Sequence, residues 1–499
     1  MKVRVRFAPS PTGPLHIGGI RTALYNYLFA KKNNGKFILR IEDTDMLRSV
    51  DGAENHIRES LKWLNISIDE GPVKGGLFGP YRQSDRNSLY IKHIDGLISQ
   101  KKAYLAFDSE DDLKRARLAQ EKKGEAFLYN WRNRKNFRNS LNMSKKDVEK
   151  ELNVGTNYVV RFKSYAKGDE KTITVNDVVR GQITFDKSLE SDKILLKGDR
   201  TPTYHLANVV DDCLMEISHV IRGEEWLPSL GFHCQLYDAF GWKRPVFVHL
   251  PLILKPYGKG KLSKRDGEKF GFPVFVVDWG KKGMSFERDG YLPEAIINYL
   301  ALLGWNPGGD KEVFTLKDLE GLFSIDDVSP SGSKLDIERC RWFNHKHIQR
   351  KSNNTIKEKL LNELEKREIF NSSVVPQRVA NLIKERVYLL SEVWDEACYF
   401  YESPENYNTK DLKRLENAST ASALISLEGY VSKNLSFSWE KAIDFVAKEQ
   451  NVKKNLILSA IRLALVGRFA GVGVFEILSI IGKEESLKRI NNLLSRLKE

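Results

Sequence analysis

Apolar and polar residues alternate at the start of the chain, with Val3, Val5 and Phe7 set between Lys2, Arg4 and Arg6. A period of two is that of a half-buried strand. Further on, Ile20, Ala23, Leu24, Tyr27 and Leu28 recur at three and four, which predicts a helix with one apolar face. Asn33-Asn34-Gly35 is a turn signal, and Lys36 to Ile41 then reads as a buried strand ending in the acidic cluster Glu42, Asp43 and Asp45. Two strands flanking a helix in so short a stretch predict a right-handed βαβ unit and a parallel sheet.

Helical patterns follow from Asp51 to Leu64 and from Tyr81 through Ile98. From about Lys101 to Asp199 the βα rhythm gives way to basic helical segments and then short alternating runs such as Tyr158 to Phe162 and Gln182 to Phe185. The rhythm resumes near Thr203 to Asp212 and in the strand-like His219 to Arg222. Half a fold, an insertion and a second half is the organisation this predicts. Beyond about residue 325 helical patterns dominate, with Leu456, Ile457, Ala460, Ile461, Ala464 and Leu465 as core positions of an all-α module.

Composition changes this picture in few places. At 499 residues the chain exceeds one core, so several domains are expected. No uncharged apolar run has membrane-spanning length, and the immediate strand pattern leaves no room for a signal peptide. Cys213, Cys234, Cys340 and Cys398 are far apart, without zinc spacing or a disulfide framework, so a reducing cytoplasm is expected. The net charge of +14 points to a polyanionic partner such as nucleic acid. Basic residues crowd Lys114 to Lys150, with Tyr129, Trp131 and Phe137 between them. That stretch is either a solvated helical face or an RNA-contacting surface, with cations for phosphates and rings for bases.

Candidate chemistry sits in two loops. Arg6-Phe7-Ala8-Pro9-Ser10-Pro11-Thr12-Gly13-Pro14-Leu15-His16-Ile17-Gly18-Gly19 joins the first strand to the first helix. Its prolines stiffen the path, its glycines allow close approach, and a helix N-terminus offers N–H donors to a phosphate. Gly258 to Arg265 is rich in glycine and lysine, which suits either an exposed basic loop or a mobile anion clamp. No GxGxxG follows a strand and no GxxxxGK[ST] is present, which disfavours the common dinucleotide and P-loop readings.

Together, Arg6 to Gly19, Arg40 to Asp45, Tyr204 to Asp212, Val220 to Trp226 and Lys261-Leu262-Ser263-Lys264-Arg265 resemble the bacterial-type glutamyl-tRNA synthetases, which are class I aminoacyl-tRNA synthetases. His16-Ile17-Gly18-Gly19 looks like the class I H-I-G-H signature with glycine in last place, and Lys261 to Arg265 looks like K-M-S-K-S with two changes. The resemblance implies a Rossmann-like α/β parallel-sheet catalytic domain in two halves, 1–100 and 200–255. An α/β acceptor-stem-binding domain would be inserted at 101–199, a stem-contact region would hold the KLSKR loop at 256–335, and an all-α anticodon-binding region would fill 336–499.

The implied activity is glutamate–tRNA ligation: glutamate and ATP give glutamyl-adenylate and pyrophosphate, and the glutamyl group then passes to the 3′-terminal adenosine of tRNA(Glu). By resemblance His16, Gly18, Gly19, Lys261, Ser263 and Lys264 bind ATP, with His16, Lys261 and Lys264 catalytic and Mg2+ as counterion. Arg6 and Arg222 read the glutamate carboxylates, Glu42 takes the ammonium, and Ser10, Tyr204 and Asn208 complete that pocket. Trp226 is either pocket wall or core, and Arg386 is either an anticodon contact or a solvated charge. The zinc-bearing region of some relatives reads Tyr104-Leu105-Ala106-Phe107-Asp108 here, so no zinc is expected. A monomer in the cytoplasm is expected, and use of tRNA(Gln) stays open. A glutaminyl-type enzyme shares the signatures but usually ends in β-barrels, and a shortened tRNA-modifying paralogue lacks the C-terminal module. A synthetase-like protein without activity would not need His16, Glu42, Arg222, Lys261 and Lys264.

Overall fold

The alternating N-terminal run forms β1 (Arg4–Phe7), and the helical pattern forms α1 (Ile17–Lys32). Asn34 turns the chain with φ of 49°, a left-handed conformation that asparagine tolerates. The chain returns as β2 (Lys36–Leu39), parallel to β1 from Arg4↔Lys36 to Phe7↔Leu39. This is a computed structural model, and it describes residues 2–280, 284–370, 372–416, 418–434 and 436–498. The second strand ends before the expected Ile41 because Arg40 N–H still bonds Phe7 O while Ile41 turns to bridge Arg82. Two helices follow as the pattern requires, α2 (Ala53–Trp63) and α3 (Asn87–Ser99).

The next segment holds β3 (Ala103–Ala106), α4 (Glu110–Glu121), α5 (Lys145–Asn153), β4 (Val159–Phe162), β5 (Thr172–Asp177), β6 (Gly181–Asp186) and β7 (Ile194–Leu196). Strands β3, β4 and β7 make an antiparallel three-stranded sheet. Helices α4 and α5 bury no residue, which both a solvated face and an RNA-contacting surface require. The rings beside them turn inward: Tyr129 is buried, stacks on Phe137 at 4.5 Å between centroids, and carries the Arg161 guanidinium 4.0 Å over its face. Trp131 donates its Nε1–H to Ser188 O at 3.0 Å. Tyr129 is therefore packed into this sheet and is not a platform for bases.

The chain continues through α6 (Tyr204–Leu214), β8 (His219–Gly223), α7 (Leu230–Phe240) and β9 (Val246–Leu250). Strands β8 and β9 run in parallel, with Arg222 beside His249. The hairpin of β5 and β6 joins them, giving the order β6-β5-β9-β8, with Asp177 paired to Phe247. Hydrogen bonding therefore runs across the boundary expected at residue 199. Ser218 N–H donates to Arg4 O at 2.9 Å, which sets β8 beside β1. The two halves meet there although a long insertion separates them.

After β9 come β10 (Ile253–Leu254), α8 (Lys264–Phe270), α9 (Pro293–Ala301), α10 (Leu316–Leu322) and β11 (Ser333–Lys334). The chain divides into two compact units, one of residues 1–288 and 293–340 and one of 289–292 and 341–499, with α11 (Ile337–Arg350) running through the division. The second unit is helical among its described residues, from α12 (Asn353–Lys366) to the final helix, Val474–Lys498. Its core holds Ile457, Ala460, Ile461, Ala464 and Leu465 as the periodicity required, together with Arg489, whose guanidinium bonds the carbonyls of Tyr399 and Leu465. Arg386 pairs with Glu396 at 2.6 Å. No helix among the described residues is long and apolar enough to cross a membrane.

Candidate active site

A cavity of about 580 Å³ opens in the first unit where the loop after β1, the ends of β2 and β8, the start of α6 and the KLSKR loop converge. This is the carboxyl-end crevice at which α/β sheets bind ligands. Arg6, Ser10, His16, Gly18, Gly19, Glu42, Tyr204, Asn208, Arg222, Lys261 and Lys264 all line it. Ser263 does not. It precedes α8 and is engaged with Asp266, its N–H and hydroxyl both bonding Oδ2 at 2.7 Å. The serine of that motif shapes the loop here rather than facing the cavity, because a helix N-terminus draws serine into its capping box.

His16 is the residue that caps α1. Its Nδ1 accepts from Gly18 N–H at 2.8 Å, so a neutral ring carries its proton on Nε2. Burial, reinforced by Lys264 and Lys261, lowers its pKa to about 4. His16 is thus a neutral N–H donor at neutral pH. Gly18 leaves room for that ring, since a Cβ there would stand 2.5 Å from His16 Cε1. At Gly19 a Cβ would stand 2.5 Å from Leu15 Cδ1, so the histidine of the fuller signature would require Leu15 to move. His56, which the sequence reading missed, fixes the loop: its Nδ1 accepts from Leu15 N–H at 3.1 Å and its Nε2 lies 3.2 Å from Val277 O.

Lys264 reaches over the same loop, its Nζ 3.3 Å from the position a Cβ would take at Gly13, where φ is +130°. It has no carboxylate partner among the described residues, and burial lowers its pKa. Lys261 pairs with Glu225 at 3.0 Å, both half exposed. Such a pair is worth little in water and is readily exchanged for a phosphate.

On the other side lies a buried ionic lattice. Arg40, fully buried, bonds Asp212 at 2.7 Å and Glu42 at 3.0 Å. Arg6 bonds Asp212 through Nε at 2.9 Å and NH2 at 3.2 Å, and Arg86 bonds Asp211 at 2.6 Å. Three guanidiniums thus face three carboxylates, and each buried charge is compensated. Only the NH1 edge of Arg6, 3.5 Å from Ile221 O, is left for a ligand. The sequence reading placed Arg6 at a substrate carboxylate without seeing Asp212. Glu42 receives Arg40 and Asn208 on Oε1, both at 3.0 Å, and among the described residues nothing bonds its Oε2. Burial raises its pKa, with Arg40 and Arg6 opposing the shift.

Arg222 differs from Arg6, Arg40 and Arg86. It is buried, yet no carboxylate pairs with it among the described residues. Its Nε donates to His249 Nε2 at 3.0 Å, and its NH1 donates to Tyr204 Oη at 3.2 Å and to His233 Nδ1 at 3.3 Å. An uncompensated buried cation on a cavity wall points to an anionic ligand. Tyr204 stacks on Trp226 at 4.3 Å, and Trp226, 39% exposed, is cavity wall and not core.

Burial lowers the pKa of His16, His56, His93, His205, His219, His233 and His249. Below the ordinary value of 6.5 the unfolded chain takes up protons that these native rings refuse, so stability rises with pH across that range and falls on acidification. Calorimetry should show Tm declining from about pH 7 to about pH 5, with proton uptake on unfolding. A flat Tm over that interval would contradict the burial of these rings.

Among the described residues no group of three or more His, Cys, Asp or Glu is arranged to hold a metal.

A family model described as tRNA synthetases class I (E and Q), catalytic domain, matches residues 2–342, and an anticodon binding domain model matches 343–494. The chain is 48% identical to the glutamate–tRNA ligase of Christiangramia forsetii, covering all of this chain and 99% of that one. It is 47% identical to that of Flavobacterium johnsoniae over 99% of both. A crystal structure of a glutamate tRNA ligase from Elizabethkingia meningosepticum in complex with its amino acid superposes with a TM-score of 0.93 at 41% identity over the full length of both chains. With the signature loops closing on one cavity at the ends of β1, β2 and β8, and with matches from residue 2 to residue 494, the chain belongs to the class I tRNA synthetases of the glutamate and glutamine type.

Proposed function

We propose that this chain is a glutamate–tRNA ligase that forms glutamyl-adenylate from L-glutamate and ATP and passes the glutamyl group to the 3′-terminal adenosine of tRNA(Glu). The observation that carries the reading is Arg222, a buried guanidinium without a carboxylate partner among the described residues, lining the same cavity as Glu42, whose Oε2 has no hydrogen-bond partner among them. An amino acid with an anionic side chain satisfies both: its ammonium meets Glu42 and its side-chain carboxylate meets Arg222, whose planar fork suits that group. The chain would act as a monomer in the cytoplasm.

In activation, an oxygen of the glutamate α-carboxylate attacks the α-phosphorus of ATP, the α–β phosphoanhydride bond breaks, and pyrophosphate leaves with the electron pair. Charge grows on the phosphoryl oxygens, so positioned donors supply most of the catalysis. The neutral His16 donates its Nε2–H to a phosphate oxygen, and the first turn of α1 adds its dipole. Lys264 meets the departing pyrophosphate, and Lys261 leaves Glu225 to join it. Mg2+ would accompany the nucleotide phosphates and neutralise part of their charge. No carboxylate cluster among the described residues offers it a protein cage. In transfer, the terminal 2′-hydroxyl attacks the acyl carbon and AMP leaves. The second unit would read the anticodon.

The test is aminoacylation of purified tRNA(Glu) and tRNA(Gln) with labelled glutamate and labelled glutamine. Glutamate should be charged onto tRNA(Glu), and glutamine should be charged onto neither. Charging of glutamine at a comparable rate would overturn the assignment, while glutamate on tRNA(Gln) would widen the acceptor range.

A further inference from the structure

Residues from three adjacent strands line up behind Arg222. Asp177 ends β5, His249 lies on β9 and Arg222 on β8, with Arg222 and His249 in register. Asp177 Oδ2 lies 2.7 Å from His249 Nδ1, and His249 Nε2 lies 3.0 Å from Arg222 Nε. The side chains of Asp177 and His249 are fully buried. Arginine only donates, so His249 Nε2 must accept and the proton of the neutral ring must sit on Nδ1, facing Asp177. Asp177 is itself fixed, its Oδ1 accepting from Val179 N–H at 3.1 Å and Arg180 N–H at 2.9 Å, and its Oδ2 from His249 N–H at 3.1 Å.

A second imidazole repeats the arrangement. His233 Nδ1 accepts from Arg222 NH1, which puts its proton on Nε2, and that atom lies 3.0 Å from His205 Nδ1. Both imidazoles beside the guanidinium are therefore neutral acceptors. They hold its plane without cancelling its charge, as a direct carboxylate would. Arg6 and Arg40, by contrast, are held directly by carboxylates.

We propose that Asp177 and His249 are positioning residues for amino-acid selection: Asp177 fixes the His249 tautomer, and His249 orients Arg222 while leaving its charge for the substrate's side-chain carboxylate. The inference rests on the reading of Arg222 as the glutamate side-chain ligand. It explains why a carboxylate sits one imidazole away from Arg222 and not against it. A carboxylate in direct contact would neutralise the guanidinium and remove its preference for glutamate over the uncharged amide of glutamine.

Asp177→Asn tests the tautomer. The amide oxygen belongs at the Oδ1 position, where two backbone N–H groups need an acceptor, so the amide NH2 is left facing His249. The ring then moves its proton to Nε2 and opposes the Arg222 Nε–H, donor against donor. In aminoacylation with the full chain, L-glutamate, ATP and tRNA(Glu), the glutamate KM should rise about 10–100-fold with the ATP KM within about twofold. In a His249→Leu background the same substitution should add nothing, because the relay is already broken.

An unchanged glutamate KM, an equal rise in both KM values, or an additive double variant would each overturn the proposal. Nitrogen-15 spectra of histidine-labelled unsubstituted chain give a reading that needs no variant. His249 should be neutral and protonated on Nδ1, and an Nε2–H or charged ring overturns the relay whether or not the variants fold. Arg222→Lys separates the two levels. If it leaves the glutamate KM unchanged, the role of Arg222 fails and the relay with it. If it raises the glutamate KM while Asp177→Asn does not, only the relay fails.

Discussion

Arg222→Lys is expected to raise the glutamate KM by about 10–100-fold while the ATP KM changes by no more than about twofold. The guanidinium is held by His249, Tyr204 and His233, and its NH2, with only a long bond to Trp226 O at 3.4 Å, stands on the cavity wall. A lysine ammonium keeps the charge, but as a point charge it cannot bond His249 and a carboxylate in one plane. The acceptors behind it are then left unpaired in a buried place, and charged hydrogen bonds of this kind contribute about 1.5–3 kcal/mol each. Steady-state aminoacylation with glutamate and ATP varied separately gives the two constants. Equal effects on both substrates would take Arg222 out of the amino-acid pocket.

Lys264→Met carries the second large expectation, a loss of about 10²–10³ in kcat with the glutamate KM nearly unchanged. Lys264 has no carboxylate partner among the described residues, so it is ready for the pyrophosphate without first giving up another contact. Lys261 must first release Glu225, and part of its gain with phosphate offsets that loss. Lys261→Met should therefore cost less than Lys264→Met under the same assay. A Lys264→Met variant within a few-fold of the unsubstituted enzyme, or one weaker in effect than Lys261→Met, would reverse the roles assigned to the two lysines.

The elements that carry these residues are mostly visible in the order of amino acids. β1, α1 and β2 follow from a change of period, because the exposed face of a strand or helix repeats along its own sequence. The motifs also survive the fold, since His16, Gly18 and Gly19 are contiguous and Lys261 lies only three residues from Lys264. Local features of this kind depend on backbone geometry over one turn or one loop. Ser263 is a local feature of the same kind, its N–H and hydroxyl both engaged with Asp266 at the start of α8.

Pairings between distant segments left no such trace. Arg6 finds Asp212 because β1 runs beside the second half-sheet, although 206 residues separate them. Tyr129 looked like a surface ring among lysines, and the inserted sheet buried it under Arg161. Asp177, His249 and Arg222 meet because β5, β9 and β8 are neighbours, an order that no periodicity encodes. Taken alone, the sequence determined the elements, the two signature loops and the charge types available to the site. Tertiary structure decided that Arg6 and Arg40 meet carboxylates while Arg222 meets imidazoles, because that depends on what each long side chain meets across the sheet.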